Sequence, residues 1–168
     1  MSKTITIPKG KHRGRPVRPR VYWKRKRLCH WVQFDFSCRY ELPENDGRDY
    51  NKLFGLAWWP GTHTSSARFG WRWNNDKKKI ELCAYLYEKG NRKVIPLCHV
   101  KLTYGYELSI KIEDGGIRFR VIQLNNMFQA ADVWILFNGV TKFSYGLGVY
   151  FGGNRQAPHN MKIYMKHV

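Results

Sequence analysis

From Trp31 to the C-terminus, apolar and polar side chains alternate with a period of two, run after run, and this pattern restricts the chain to β-structure. In HWVQFDFSCRY, Val32, Phe34, Phe36, Cys38 and Tyr40 fall on one face, and Gln33, Asp35, Ser37 and Arg39 on the other. In ARFGWRW, Ala67, Phe69, Trp71 and Trp73 oppose Arg68, Gly70 and Arg72. KIELCAYLYEK sets Ile80, Leu82, Ala84 and Leu86 against Glu81, Cys83, Tyr85 and Tyr87. Similar runs follow in VIPLCHVKL, YELSIKI, IRFRVIQL, DVWILF, SYGLGVYF and NMKIYMK. Turn signals separate them: Asn74-Asn75-Asp76, Lys89-Gly90-Asn91, Asp114-Gly115-Gly116, Asn138-Gly139 and Gly152-Gly153-Asn154. Strand plus turn repeats about every ten residues, over roughly ten strands, which predicts an all-β, antiparallel sandwich or barrel. Only NNMFQAADV, residues 125–133, offers a helical turn.

At 168 residues the chain suits one domain with a sizeable core, and 43% apolar content with 15% aromatics excludes a disordered body. No window approaches 18 consecutive apolar residues, so no membrane-spanning helix is expected. The basic leading residues have no apolar stretch behind them, so no signal peptide is read and a cytoplasmic or virion location is expected. Cys29, Cys38, Cys83 and Cys98 lie in or beside apolar runs without a CxxC pair, which predicts buried free thiols rather than a disulfide framework. A zinc site would need Cys29-His30 to meet Cys98-His99 by folding alone, without support from ligand spacing. No P-loop or dinucleotide fingerprint occurs, and no cofactor is expected.

Charge is unevenly spread. The first 30 residues hold eleven Lys or Arg and no acidic residue, and supply +11 of the +18 formal net charge. Pro8, Gly10, Gly14, Pro16 and Pro19 make this stretch extended or irregular, although the TITI run at residues 4–7 is able to pair as an edge strand. The expected organisation is an extended basic N-terminal arm over residues 1–28 and a β-sandwich domain over residues 29–168. Such an arm points to an anionic partner: nucleic acid, acidic polysaccharide or an acidic protein surface. Its candidate contacts are Lys9, Lys11, Arg13, Arg15 and Arg18, then Arg20, Lys24, Arg25, Lys26 and Arg27.

GLGVYFGGNRQAPHNMKIYMK, residues 146–166, resembles the closing segment of concanavalin A-like, laminin-G-like jelly rolls, where a strand ends in a glycine turn and a last alternating strand completes a sheet. The string YFGGN-x-x-APH-x-x-x-I resembles uncharacterised proteins of gut Bacteroidota and of their phages and mobile elements. The pairing of HTSSARFGWRW with KIELCAYLYEKGNRK is similar to the same group. The resemblance implies a jelly-roll sandwich and a phage- or mobile-element setting, and brings no settled activity. Physically, Gly152 and Gly153 permit a tight corner and Pro158 denies a ladder hydrogen bond, leaving Asn154, Arg155, Gln156 and His159 in a short polar loop.

Candidate ligand residues follow from the polar strand faces. Arg68 and Arg72 share one face, Arg118 and Arg120 another, and Tyr85 and Tyr87 lie on the polar face of the strand joined to 67–73 by a hairpin. If these faces coincide, guanidinium forks and phenol rings form a surface for an anionic ligand; otherwise they are a solvated outer face. In WWPGTHTSS, Trp58 and Trp59 cannot both point inward, so Trp59 with His63 forms either a sugar-binding rim or a cap on the core. Asn154 and Arg155 complete the candidate ligand face.

Catalysis has less support. Arg72 as charge neutraliser, Tyr150 as acid and His63 as base would make a polysaccharide lyase, but nothing in their spacing brings them together. No paired-carboxylate pattern for glycoside hydrolysis is present. ELPENDGRDYN places Glu44, Asp46, Asp49 and Asn51 close enough for calcium, without the spacing of a known loop. Two functions remain. One is a non-catalytic binding or assembly protein, a virion component whose arm and Arg/aromatic face contact a polyanion. The other is a lectin-like module or polysaccharide lyase with an acidic glycan on its concave face. Homo-oligomerisation suits either, since a sandwich leaves edge strands.

Overall fold

The computed structural model describes residues 2–16, 20–41 and 49–168. One six-stranded sheet contains, in spatial order, β1 (Lys3–Ile7), β12 (Met161–His167), β3 (Arg27–Phe34), β8 (Tyr106–Glu113), β9 (Gly116–Gln123) and β10 (Phe128–Leu136). The other contains β2 (Val21–Trp23), β11 (Phe143–Leu147), β4 (Asn51–Trp58), β5 (Ser65–Asn74), β6 (Lys79–Glu88) and β7 (Asn91–Val100). Neighbouring strands in both sheets run antiparallel, so the fold is the all-β sandwich that the alternation predicts.

The same alternation builds the core. Phe69, Trp71, Leu82 and Leu86 point from β5 and β6 toward Phe34, Leu108, Ile110 and Phe119 of the facing sheet, and all are essentially inaccessible to water. Rings from the two layers interlock: Phe34 meets Trp71 at 5.4 Å between centroids, and Phe69 meets Phe119 edge-on at 5.1 Å. Lys89 and Gly90 both take positive φ, 51° and 83°, as a two-residue hairpin turn between β6 and β7 requires.

Three expectations need correction. The alternation from Trp31 to Tyr40 is not one strand. β3 ends at Phe34, where Asp35 accepts a hydrogen bond from the Ser37 amide and caps a short 3-10 helix, Phe36–Cys38, leaving Phe36 exposed. Residues 128–133 of the candidate helical turn are strand, paired along β9 with a bulge between Gln129 and Ala131.

The leading segment, in place of standing outside the body, is woven into both layers. β1 pairs with β12, and Ile7 is fully buried. Arg15 bridges Thr6, Arg13 bridges Tyr150, and β2 pairs with β11. The chain thus passes from β1 at the margin of one sheet to β2 at the margin of the other. Among the described residues no helix is long and apolar enough to cross a membrane.

Candidate functional site

The polar face of β5 and β6 is the outer face of the second sheet, and its register places residues in rows. One row runs Tyr145, Ala57, Ser66, Tyr87 and Arg92 across β11, β4, β5, β6 and β7. The next runs Leu147, Gly55, Arg68, Tyr85 and Val94. A third runs Tyr150, Lys52, Gly70, Cys83 and Pro96. Glycines let the middle pack closely: a Cβ on Gly55 would collide with the Ala67 carbonyl and the Cβ of Arg68, and one on Gly70 would stand 2.5 Å from the Cys83 sulfur. Tyrosines rise around them. Arg68 lies among them, near the centre of this face.

Arg68 is only 7% exposed, and its Nε has no hydrogen-bond partner among the described residues. Burial pulls its pKa below the ordinary arginine value, opposed by the nearby phenols of Tyr85, Tyr87 and Tyr145. Those phenols are themselves held. Tyr145 shares a 2.9 Å hydrogen bond with Thr62, Tyr85 bonds Arg92, and the rings of Tyr85 and Tyr87 lie 5.9 Å apart. Lys52 places its ammonium 4.9 Å from the Tyr85 ring centroid and donates to the Gly152 carbonyl at 3.1 Å. Burial, reinforced by Arg68, lowers the Lys52 pKa to about 8.

The other arginine of this strand is spent. Arg72 reaches both oxygens of Glu81, through Nη2 at 3.1 and 3.0 Å and through Nε at 3.2 Å, and lies 4.4 Å from the Tyr50 ring centroid. Tyr50 donates to the same carboxylate. Burial disfavours the charged form of Glu81, but these hydrogen bonds outweigh it and hold its pKa below the usual range. Arg68 and Arg72 share a face, as the alternation predicts, with opposite electrostatic fates.

The remaining candidates scatter. Arg118 and Arg120 belong to β9 in the other sheet, where Asp132 pairs with both at 2.9 Å and Glu113 with Arg118 at 3.1 Å, so they do not join Arg68. Two-residue alternation could not reveal this, since it fixes a face within a strand and not the sheet that owns it. His63 meets Tyr87 edge-on at 5.3 Å, in the row that Tyr145 shares, and Trp59 is 80% exposed. Asn154 and Arg155 lie exposed in the loop whose Gly152 supports Lys52. The nominated trio of Arg72, Tyr150 and His63 does not converge. Tyr150 stands beside Lys52 and His63 beside Tyr87, four residues apart along β5, about 13 Å.

Of the leading cations, Arg13 bridges Tyr150 and Arg20 accepts from the Gly146 amide at 2.8 Å, so both edge the second sheet, as does Lys24 beside Trp23. Lys9, Lys11 and Arg15 surround the crossing near Asn160, Ala157 and Thr6. Arg25 reaches His167, the Lys26 carbonyl accepts from Ile112, and Arg27 pairs with Glu107 at 3.2 Å, all at the first sheet. Arg18, Glu44 and Asp46 lie outside the described residues; Asp49 lies against Gly153, and the Asn51 side chain bonds Tyr40 and the Gly152 amide. Sequence reasoning missed Lys52, Tyr145 and His12. His12 donates from Nδ1 to the Phe151 carbonyl at 3.0 Å and stacks on Tyr150 at 5.1 Å. The pairing of residues 12–15 with 149–151 spans far more chain than any local pattern reports.

No protein-family model and no curated sequence matches this chain. Solved structures do. A functionally unknown protein from Saccharomyces cerevisiae superposes with a TM-score of 0.60 at 11% identity, covering 96% of this chain and 82% of its own. A polysaccharide lyase of family 18, aly-SJ02 r-CATD, gives 0.54 at 8% identity, covering 99% and 87%. A xylan β-1,4-xylosidase from Bacillus halodurans C-125 gives 0.52 at 10% identity over 84% of this chain and 27% of its own. What they share with this chain is the fold.

Proposed function

We propose that the protein is a non-catalytic binder of acidic polysaccharide, holding its ligand on the outer face of the second sheet with Arg68 receiving a carboxylate or sulfate. The observation that carries this is the Arg68 guanidinium, nearly buried and without an acceptor at Nε among the described residues, while Arg72, Arg118 and Arg120 are all neutralised by carboxylates. A desolvated guanidinium with an unsatisfied Nε weakens a fold on its own, and that penalty is relieved when a ligand supplies an anionic acceptor. Tyr85, Tyr87 and Tyr145 lie around this guanidinium and offer hydroxyls for those of a sugar.

Nucleic acid is a poorer fit. A phosphate backbone is gripped by many exposed cations along a track, whereas one nearly buried guanidinium among phenols suits a hydroxyl-rich unit bearing a single negative group. The lyase among the fold neighbours is named for a polysaccharide, in keeping with this class of ligand without establishing it. In the virion or mobile-element setting that the C-terminal resemblance implies, such a face would attach the particle to an acidic surface glycan.

Affinity electrophoresis through gels containing alginate, polygalacturonate, heparin, neutral xylan or duplex DNA tests the reading. The native protein is expected to be retarded by an acidic glycan and not by xylan, and Arg68→Met to migrate freely. Equal retardation of Arg68→Met, or retention by DNA alone, refutes it. As a binder, the protein should leave the ultraviolet absorbance of alginate and polygalacturonate unchanged, without the signal of an unsaturated uronate.

A further inference from the structure

Beyond Tyr145 the outer face of the second sheet continues into exposed aromatic surface. One pairing step past Val21–Tyr145 stand Ser144 and Tyr22, and a second step brings Phe143 opposite Trp23. The rings of that last pair meet edge-on at 4.3 Å. β4 runs antiparallel alongside, with Trp58 opposite Ser144, so Trp59 follows at the Phe143 end. Trp58 is packed in the core, while Trp59 is 80%, Phe143 59% and Trp23 57% exposed. Three large rings at one end of a sheet are more apolar surface than a soluble face leaves open without use. The Lys24 ammonium lies 5.9 Å from the Trp23 ring centroid, and its amide donates to the Lys142 carbonyl at 2.7 Å, so this end is cationic as well as aromatic.

Phe143 lies four residues along β11 from Leu147, which shares a row with Arg68, a separation of about 13 Å. We infer that Trp59, Phe143 and Trp23 form a stacking subsite on the same sheet face, on which a further ring of the acidic sugar chain lies flat while another unit reaches Arg68. The inference rests on the function proposed above. It is argued from the continuity of the face, from the match between flat rings and the apolar face of a sugar, and from the flanking lysine charge. This face then reads an oligosaccharide rather than a single unit.

Calorimetric titration with galacturonate and alginate oligomers, from dimer to hexamer, tests this on the native protein, on Arg68→Met and on the double variant Trp59→Ala/Phe143→Ala. Both replaced rings are exposed, and an unchanged melting temperature verifies the fold. Native affinity should rise with chain length. The double variant should lose that gain, on the order of tenfold for the hexamer, with dimer affinity unchanged; Arg68→Met should lose binding of every length. A hexamer bound equally by the native and double-variant proteins overturns the subsite and leaves the Arg68 reading standing. A native protein that binds none of these oligomers sinks both. A dimer of this protein in light scattering that the double substitution dissolves would assign the rings to self-association and overturn the subsite.

Discussion

Arg68 and Arg72 lie on the same face of the same strand, and replacing each with methionine should move stability in opposite directions. Methionine keeps an unbranched stem of similar reach and removes the charge. At Arg68 the change removes a guanidinium whose Nε is buried without an acceptor. An unsatisfied buried polar group costs about 1–3 kcal/mol, so Arg68→Met should stabilise the fold by about 2 kcal/mol. For a chain of 168 residues that corresponds to a rise in melting temperature of about 4–8 °C. At Arg72 the change strands Glu81, whose side chain is only 9% exposed. Breaking a fully buried pair costs about 3–5 kcal/mol; with Arg72 26% exposed and Tyr50 still donating to Glu81, a loss of about 2 kcal/mol is expected. Urea denaturation followed by tryptophan fluorescence reads both changes. If Arg68→Met destabilises as much as Arg72→Met, the guanidinium is satisfied in the free protein and the reasoning fails.

Three further outcomes follow from the same geometry. Burial, with His167, Arg20 and Arg25 nearby, lowers the His30 pKa from 6.5 to about 4, so the unfolded chain binds the extra proton between these values. Stability is therefore complete above pH 6.5 and falls as the pH drops toward 4, by up to about 3 kcal/mol. His99 and His167 shift the same way, so His30→Leu should flatten most but not all of that slope in denaturation at pH 7 and 4.5. Deleting residues 1–27 removes β1, β2 and the crossing between sheets, and should abolish cooperative thermal unfolding; a deletion protein that melts like the native one contradicts the woven fold. Lys52, with a pKa of about 8, is charged at neutral pH and loses its proton above it, so affinity for alginate should fall as the pH rises from 7 to 9, and Lys52→Met should remove that dependence.

Much of the second sheet was legible in the sequence. The alternation in residues 67–73 and 80–87 separates Phe69 and Trp71 from Arg68 and Arg72, and the structure buries the first pair and turns the second outward. The hairpin through Asn74-Asn75-Asp76 sets Tyr85 opposite Arg68 because neighbouring strands must pair locally. What alternation cannot convey is partnership across the chain. Arg118 and Arg120 look like Arg68 and Arg72 in sequence, yet β9 joins a different sheet and meets Asp132. Lys52 turns outward because of a bulge between Lys52 and Gly55, which depends on the register with β5. The TITI run announced an edge strand, and β1 is one, but not its partner: the pairing of β1 with β12 closes a loop of nearly the whole chain.

The claim that a sugar's anionic group meets the buried guanidinium is tested most directly by the Nε–H resonance of Arg68 in nitrogen-15-labelled protein titrated with galacturonate and alginate oligomers. A shift of that signal which saturates with added oligomer is predicted, together with slowed exchange of its proton. An Arg68 signal that stays fixed while those of Arg13, Arg20 and other exposed arginines move would place the ligand on the sheet margin and contradict the account.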